Sequence, residues 1–235
     1  MTILNLLLRN PGGSATQMNF SVRRLLMAGF TGRNQKIAMK HVEELLAYGV
    51  VAPKKTPSFY AVPNHLVSTV TELEVLGKNT SGEVEPVLLF HRGQRYLSVG
   101  SDHTDRELEK TSIAKSKVMC GKILAPEVWS YKEVKNGWDK LLLRSWIGHS
   151  RKKTIYQEAP LGAFLQPEKL VRLAQSYIRG GNLDGTVLFL GTIPIVGSGL
   201  GFSANFSGEL IDKARKRQLS FSYRIKPMNW LKGDF

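Results

Sequence analysis

The feature that most constrains the fold is a succession of strand-like segments that are not separated by helices at regular intervals. Strands are predicted at residues 67–76, 84–90, 94–99, 140–147, 154–158, 186–191, 201–211 and 219–225. Helices are predicted only at 34–48 and at 161–178, the second interrupted at Pro167. A doubly wound parallel sheet would place a helix after nearly every strand. The pattern therefore favours a β-rich α+β fold.

Length and composition indicate one folded domain. The 235 residues, of which 42% are hydrophobic, are enough to enclose a single core. The apolar segment 1–8 is too short to span a membrane, and it lacks the basic start of a signal peptide. Because a Pro-Gly-Gly-Ser break follows it, we expect residues 1–17 to be a flexible N-terminal extension and residues 18–235 to be the domain. No other segment approaches a membrane-spanning length.

The chain has a single cysteine, Cys120. One cysteine excludes an internal disulfide framework and is typical of a reducing compartment, so we expect a cytoplasmic protein. No histidine nearby in the sequence is placed to activate the thiol. We therefore expect Cys120 to be a small buried apolar residue rather than a nucleophile.

Three acidic residues indicate a metal site. Glu83 and Glu85 alternate on one predicted strand, so both side chains project from the same face. Asp102 follows Glu83 by 19 residues, at the end of the next strand. Like charges this close need a shared proton, a basic partner or a bound cation. Oxygen-only ligands favour Mg²⁺, Mn²⁺ or Ca²⁺ over Zn²⁺. The alternative is a solvated strand face, on which polar residues also alternate.

Several further motifs occur in a fixed order along the chain. They are Gly32-Arg33-Asn34, His41-Val42-Glu43-Glu44, Glu83-Val84-Glu85, Asp102-His103-Thr104-Asp105-Arg106, Lys115 and Lys117 before Ala125-Pro126, and Gly185 to Pro194. This order, between Met27 and Glu209, resembles the fumarylacetoacetate hydrolase superfamily, and within it short, divergent bacterial members of uncharacterised function. The resemblance implies a mixed β-sheet roll with a helical lid at about residues 31–50, and a homodimer.

The resemblance also implies roles for individual residues. Glu83, Glu85 and Asp102 would hold the metal. His41 and Glu44 would lie on the lid helix and activate a water molecule, because the glutamate can fix the tautomer of the imidazole. Residues three apart lie on one helix face, but a histidine on such a face is also often a satisfied core residue.

Other positions are candidates for contact with the substrate. Arg106 would bind a substrate carboxylate, and its alternative is an ion pair with Asp105, Glu107 or Glu109. Thr192 and Gln157 are further substrate-binding candidates, although a threonine after a buried strand can equally satisfy the backbone. Lys115 and Lys117 compete for the role of the catalytic lysine, which would offset the negative charge of the triad. His103 and Asp105 would support Asp102.

Together with the acidic triad, the resemblance implies a metal-dependent hydrolase or lyase. We expect it to cleave a carbon–carbon bond of a small 2-oxo acid or 1,3-dicarbonyl compound, of the acylpyruvate kind, through an enolate at the metal. Decarboxylation, tautomerisation or dehydration would use the same site without a water nucleophile. The remaining alternative is a non-catalytic basic binding protein. The spacings around His41 and Thr192, which differ from those usual in the family, favour this alternative.

The net charge of +14 raises the question of a nucleic-acid partner. The basic clusters at 54–55, 151–153 and 213–217 lie at predicted loops and turns. No zinc-finger spacing, helix-turn-helix pattern or aromatic ladder accompanies them. The distribution therefore argues against nucleic acid, and it suits a small anionic carboxylate substrate drawn in by a positive field.

Overall fold

The structure is a computed structural model, and it describes residues 2–36, 39, 53, 55–148, 152–197 and 199–230. The strands are β1 Thr2–Arg9, β2 Ala15–Val22, β3 Arg24–Gly29, β4 Ser58–Val62, β5 Val67–Ser68, β6 Glu72–Val75, β7 Thr80–Ser81, β8 Val84–His91, β9 Gln94–Asp102, β10 Thr104–Asp105, β11 Lys122–Leu124, β12 Glu127–Ser130, β13 Leu142–Ile147, β14 Thr154–Pro160, β15 Thr186–Phe189, β16 Asn205–Asp212 and β17 Arg217–Pro227. The α-helices are α1 Arg106–Glu109, α2 Ile113–Val118, α3 Tyr131–Val134 and α4 Pro167–Tyr177. Short 3₁₀ helices cover Asn64–Leu66, Lys135–Lys140 and Leu161–Ala163.

The described strands form two mixed sheets and a short ladder. The larger sheet has the order β2-β1-β12-β9-β8-β15-β3-β4, and β11 joins it through β9 and carries β5. The smaller sheet has the order β14-β13-β16-β17-β6, and β7 pairs with β10. Parallel pairs occur at β1 with β12, β11 with β5, β15 with β3, and β17 with β6. This mixture without regular crossover helices is the β-rich α+β architecture that the sequence predicts.

Strand β8 is buried on both faces. Val84, Leu88 and Phe90 belong to one hydrophobic cluster, whereas Val87 and Leu89 belong to another. Side chains alternate across a strand, so these two sets project in opposite directions. The face of β8 that carries Glu85 is therefore covered by the second hydrophobic cluster and does not face solvent. This arrangement explains why the sequence from 86 to 90 is continuously apolar.

The N-terminal segment is a β-hairpin, so the prediction of a flexible extension is wrong for residues 2–17. Strands β1 and β2 pair along their whole length, and β1 also pairs with β12. Leu4, Leu6 and Phe20 are buried in the second cluster. The alternation of apolar and polar residues in these segments is the signal for a half-buried hairpin, and Gly12 and Gly13 provide its turn with positive φ.

Several predicted boundaries differ from the structure. The strand expected at 67–76 is two strands that join different sheets, β5 with β11 and β6 with β17. The strand expected from 201 begins at Asn205. The break at Pro167 is confirmed, because α4 begins there, where proline needs no N–H partner. Most of the helix predicted at 34–48, and of the lid at 31–50, lies outside the described residues. No helix in the described ranges is long and apolar enough to cross a membrane.

Candidate metal site

The β8–β9 hairpin brings the three predicted metal ligands together. Glu85 lies opposite Gly100 in the antiparallel register, and the N–H of Asp102 donates to the carbonyl of Glu83 at 3.0 Å. One carboxylate oxygen from each of Glu83, Glu85 and Asp102 lies within 4.8 Å of the others. Glu85 and Asp102 are buried, and Glu83 is partly exposed. Among the three, Glu83 is therefore the residue that reaches the surface of the described part of the chain.

The chemistry of this triad fits a divalent cation. Burial, followed by the charge of Asp102, raises the pKa of Glu85 well above its usual range. A carboxylate destabilised in this way is stabilised by a cation. Octahedral Mg²⁺ places its ligands about 2.1 Å away, so that neighbouring ligands are about 3 Å apart and opposite ligands about 4.2 Å. Carboxylate oxygens that lie within 4.8 Å of one another can surround such an ion, so Glu83, Glu85 and Asp102 can bind a metal ion of the magnesium kind.

Asp102 is held by two ammonium groups. Lys117 contacts its Oδ2, and the Nζ of Lys122 lies 2.8 Å from Oδ1. Although burial opposes ionisation of Asp102, these lysines lower its pKa to about 2. The carboxylate is thus ionised at neutral pH despite complete burial.

Of the two lysines that the sequence proposes, the structure brings only Lys117 to the triad. Lys117 projects inward from α2 and lies 3.9 Å from Glu83 as well as against Asp102. Burial disfavours its charge, but Asp102 and Glu83 raise its pKa above the usual range, so Lys117 is a cation. Lys115 is exposed, since side chains two residues apart point in nearly opposite directions on a helix.

Lys122 is a further residue of the site, and the sequence motifs did not indicate it. Its signal was available, because a lysine begins the apolar stretch Lys122-Ile123-Leu124-Ala125. Lys122 pairs with Asp102 in the β11–β9 register and is completely buried.

Arg106 is bound to protein groups. Its guanidinium contacts Glu83 at 3.1 Å, Glu109 at 2.7 Å and the Oγ of Ser81 at 2.7 Å. Glu109 was one of the alternatives that the sequence left open. In this arrangement Arg106 fixes the orientation of Glu83, and binding a substrate carboxylate would require it to give up one of these contacts.

Gln157 and Thr192 lie together behind the triad, where they support the backbone of β8. The Oε1 of Gln157 accepts from the N–H of Val84 and from the Oγ of Ser145, each at 3.0 Å. Its Nε2 donates to the Oγ1 of Thr192 at 2.8 Å and to the carbonyl of Ile193 at 2.7 Å. Thr192 in turn donates to the carbonyl of Val84 at 3.0 Å. The amide of Gln157 therefore has no hydrogen-bonding capacity left.

His103 and Asp105 bind protein groups next to Asp102. The ring nitrogens of His103 are 2.8 Å from the hydroxyl of Tyr223 and 2.9 Å from that of Thr80. Burial, with the charges of Lys122 and Arg106, lowers the pKa of His103 to about 3, so the ring is neutral. Asp105 caps α1 by accepting from the N–H groups of Glu107 and Leu108. His41 and Glu44 lie outside the described residues.

Comparison with known proteins gives a family and a fold. The model of the DUF2848 family, described as a protein of unknown function, matches residues 28–223. Comparison with curated proteins gives no match. Among solved structures, a hexagonal crystal form of 2-keto-3-deoxyarabinonate dehydratase is similar, with a TM-score of 0.65 and 14% identity over 89% of this chain and 75% of the other.

Two further structures are also similar. One is 2-keto-3-deoxy-D-arabinonate dehydratase complexed with magnesium and 2,5-dioxopentanoate, with a TM-score of 0.63 and 14% identity over 88% of this chain and 74% of the other. The other is Cg1458, with a TM-score of 0.62 and 10% identity over 95% of this chain and 88% of the other. At such identities the likeness concerns the fold, and the predicted fumarylacetoacetate-hydrolase-like fold class is confirmed.

Proposed function

This chain belongs to the DUF2848 family, and from that premise and the geometry of its acidic site we propose that it is a divalent-metal-dependent lyase acting on a small 2-oxo acid. The observation that carries the proposal is the convergence of three carboxylate oxygens within 4.8 Å, beside two buried lysines that contact Asp102. The fold shared with a dehydratase that was crystallised with magnesium supports the same chemistry. Dehydration is the reaction that we favour.

Glu83, Glu85 and Asp102 would hold the ion, and magnesium bound there would supply Lewis acidity that favours loss of a proton next to a 2-oxo group. Two positive side chains keep the carboxylates in place. Arg106 orients Glu83, and Lys122 orients Asp102. Pre-oriented ligands reduce the reorganisation needed during the reaction.

Lys117 would stabilise negative charge that develops on the substrate. Its raised pKa keeps it protonated, so it is not suited to form a Schiff base with the 2-oxo group. As an ammonium ion beside Asp102 and Glu83, it can instead donate a hydrogen bond to an oxygen that becomes negative. The proton itself needs a separate base, and His41 with Glu44 are the candidates that the sequence supplies.

The finer assignments are also proposals. Dehydration needs only an acid and a base, whereas carbon–carbon hydrolysis also needs a water molecule oriented by His41 and Glu44. A single catalytic domain, a homodimer, a cytoplasmic location and a small anionic carboxylate substrate complete the proposal. The positive net charge of the chain suits such a substrate.

A turnover assay with a 2-keto-3-deoxy sugar acid tests the proposal. Proton NMR monitors the substrate in the presence of magnesium and, separately, in the presence of EDTA. We expect loss of substrate only with magnesium, and background activity for Glu83→Ala. Glu107→Ala is the matched control, because Glu107 is exposed and close in sequence to the site. Turnover that is independent of metal, or an unaffected Glu83→Ala, would overturn the proposal.

A further inference from the structure

We propose that the two buried lysines of the site have different tasks: Lys122 holds Asp102 permanently, whereas Lys117 is the cation that gives way when a divalent ion binds. This inference rests on the proposed metal site and extends it to the residues that control its occupancy. Both lysines contact the same carboxylate, but they do so at different oxygens and from different elements, Lys117 from the helix α2 and Lys122 from the strand β11.

Lys122 is fixed in its position. It is completely buried, and its Nζ lies 2.8 Å from the Oδ1 of Asp102 and 2.5 Å from the carbonyl oxygen of His103. Its backbone pairs with Asp102 in the β11–β9 ladder. An ammonium ion that left these two oxygens would remain buried without a partner, which is strongly unfavourable. Lys122 therefore acts through Asp102 as a positioning residue.

Lys117 contacts carboxylates that a divalent ion would also bind. Its Nζ contacts the Oδ2 of Asp102 and is 3.9 Å from the Oε2 of Glu83. These are two of the three carboxylates whose ligand atoms converge. An ammonium ion and a divalent cation that share these oxygens repel each other, and this repulsion is strong in a buried site.

The carboxylate oxygen that becomes available to the divalent ion is the Oδ2 of Asp102, which Lys117 contacts. Both carboxylate oxygens of Asp102 have an ammonium partner, so an incoming ion must share or displace one. Lys122 has the additional carbonyl partner and no exposure, whereas the Lys117 side chain is 7% exposed and comes from the short helix α2. Displacement of Lys117 is thus the less costly change.

Titration calorimetry with magnesium alone tests this division. We expect Lys117→Met to raise the affinity, by about tenfold, because it removes a competing charge. Lys122→Met should lower the affinity by about 10- to 100-fold, as is usual when the support of a metal ligand is lost. Lys110→Met is the control, since Lys110 is an exposed lysine near the same site, and it should leave the affinity unchanged.

Thermal unfolding in EDTA supplies a readout without metal. We expect Lys122→Met to unfold at a lower temperature than Lys117→Met, and the additional change Asp102→Asn to recover part of the loss, because it neutralises the charge left without its partner. If Lys122→Met does not fold, comparison of Lys117→Met with Lys110→Met decides.

Equal or weaker magnesium binding by Lys117→Met overturns the inference, as does tighter binding by Lys122→Met. If the wild type binds magnesium but the affinities of Lys117→Met and Lys122→Met do not change in opposite directions, only this inference fails. If no variant binds magnesium, the proposed metal site fails together with it.

Discussion

Replacement of Gln157 by leucine should destabilise the protein severely, because the amide is saturated by buried partners. The change would leave the N–H of Val84, the hydroxyl of Ser145 and the carbonyl of Ile193 without their present partner. Each buried polar group that is left unsatisfied costs about 1–3 kcal/mol, which gives a total of about 3–9 kcal/mol. Burial of the leucine returns about 1 kcal/mol. We therefore expect a loss of about 2–8 kcal/mol in the free energy of unfolding.

Urea denaturation followed by circular dichroism measures this loss. For a chain of this size, even the lower value of about 2 kcal/mol lowers Tm by about 4–8 °C. Gln218→Leu is the matched control, because Gln218 is an exposed glutamine on β17. A Gln157→Leu protein with the stability of the wild type and a raised KM would refute this reasoning and would favour the substrate-binding role.

Four further predictions concern single residues. Magnesium affinity should rise as the pH is raised beyond the ordinary titration range of a glutamate, because burial raises the pKa of Glu85 and its proton competes with the ion. Calorimetry in two buffers should detect proton release, and an affinity independent of pH would contradict this prediction. Cys120, whose pKa burial raises to about 11, should react with a thiol reagent only after unfolding, and rapid labelling of the folded protein would contradict its burial. Phe20→Ala should cost about 3–5 kcal/mol in urea denaturation, whereas a flexible segment would show no loss. Gly191→Ala should weaken magnesium binding in calorimetry, because the new Cβ would lie only 2.2 Å from the Oγ1 of Thr31. The resulting shift of the backbone would displace the N–H of residue 191, which donates a hydrogen bond to Glu85. An unchanged affinity would show that this hydrogen bond is dispensable.

The metal triad could be predicted because its signal is local. Glu83 and Glu85 alternate on one strand, and Asp102 ends the strand that pairs with it, so a β-hairpin suffices to bring them together. The β-rich fold class could also be predicted, since it depends on the alternation and order of segments. Both the triad and the fold class depend on patterns among residues that are close together in the sequence.

The partners of the triad could not be predicted in the same way, because they depend on register between distant segments. Lys122 reaches Asp102 only through the β11–β9 pairing, and Gln157 reaches Val84 from the other sheet. The choice between Lys115 and Lys117 depended on which face of α2 is buried. The N-terminal segment carries two opposing signals, because the alternation of Leu4, Leu6 and Phe20 indicates a hairpin whereas its Gly-rich turn is also typical of a flexible extension.

The central claim is that Glu83, Glu85 and Asp102 form one divalent-metal site, and magnesium titration calorimetry of Glu85→Gln tests it most directly. The substitution keeps the shape of the side chain and removes its charge. We predict that one ion binds per wild-type chain, that Glu85→Gln loses this binding, and that the control Glu107→Gln keeps it. Equal binding by the wild type and Glu85→Gln, or no binding by the wild type, would contradict the claim.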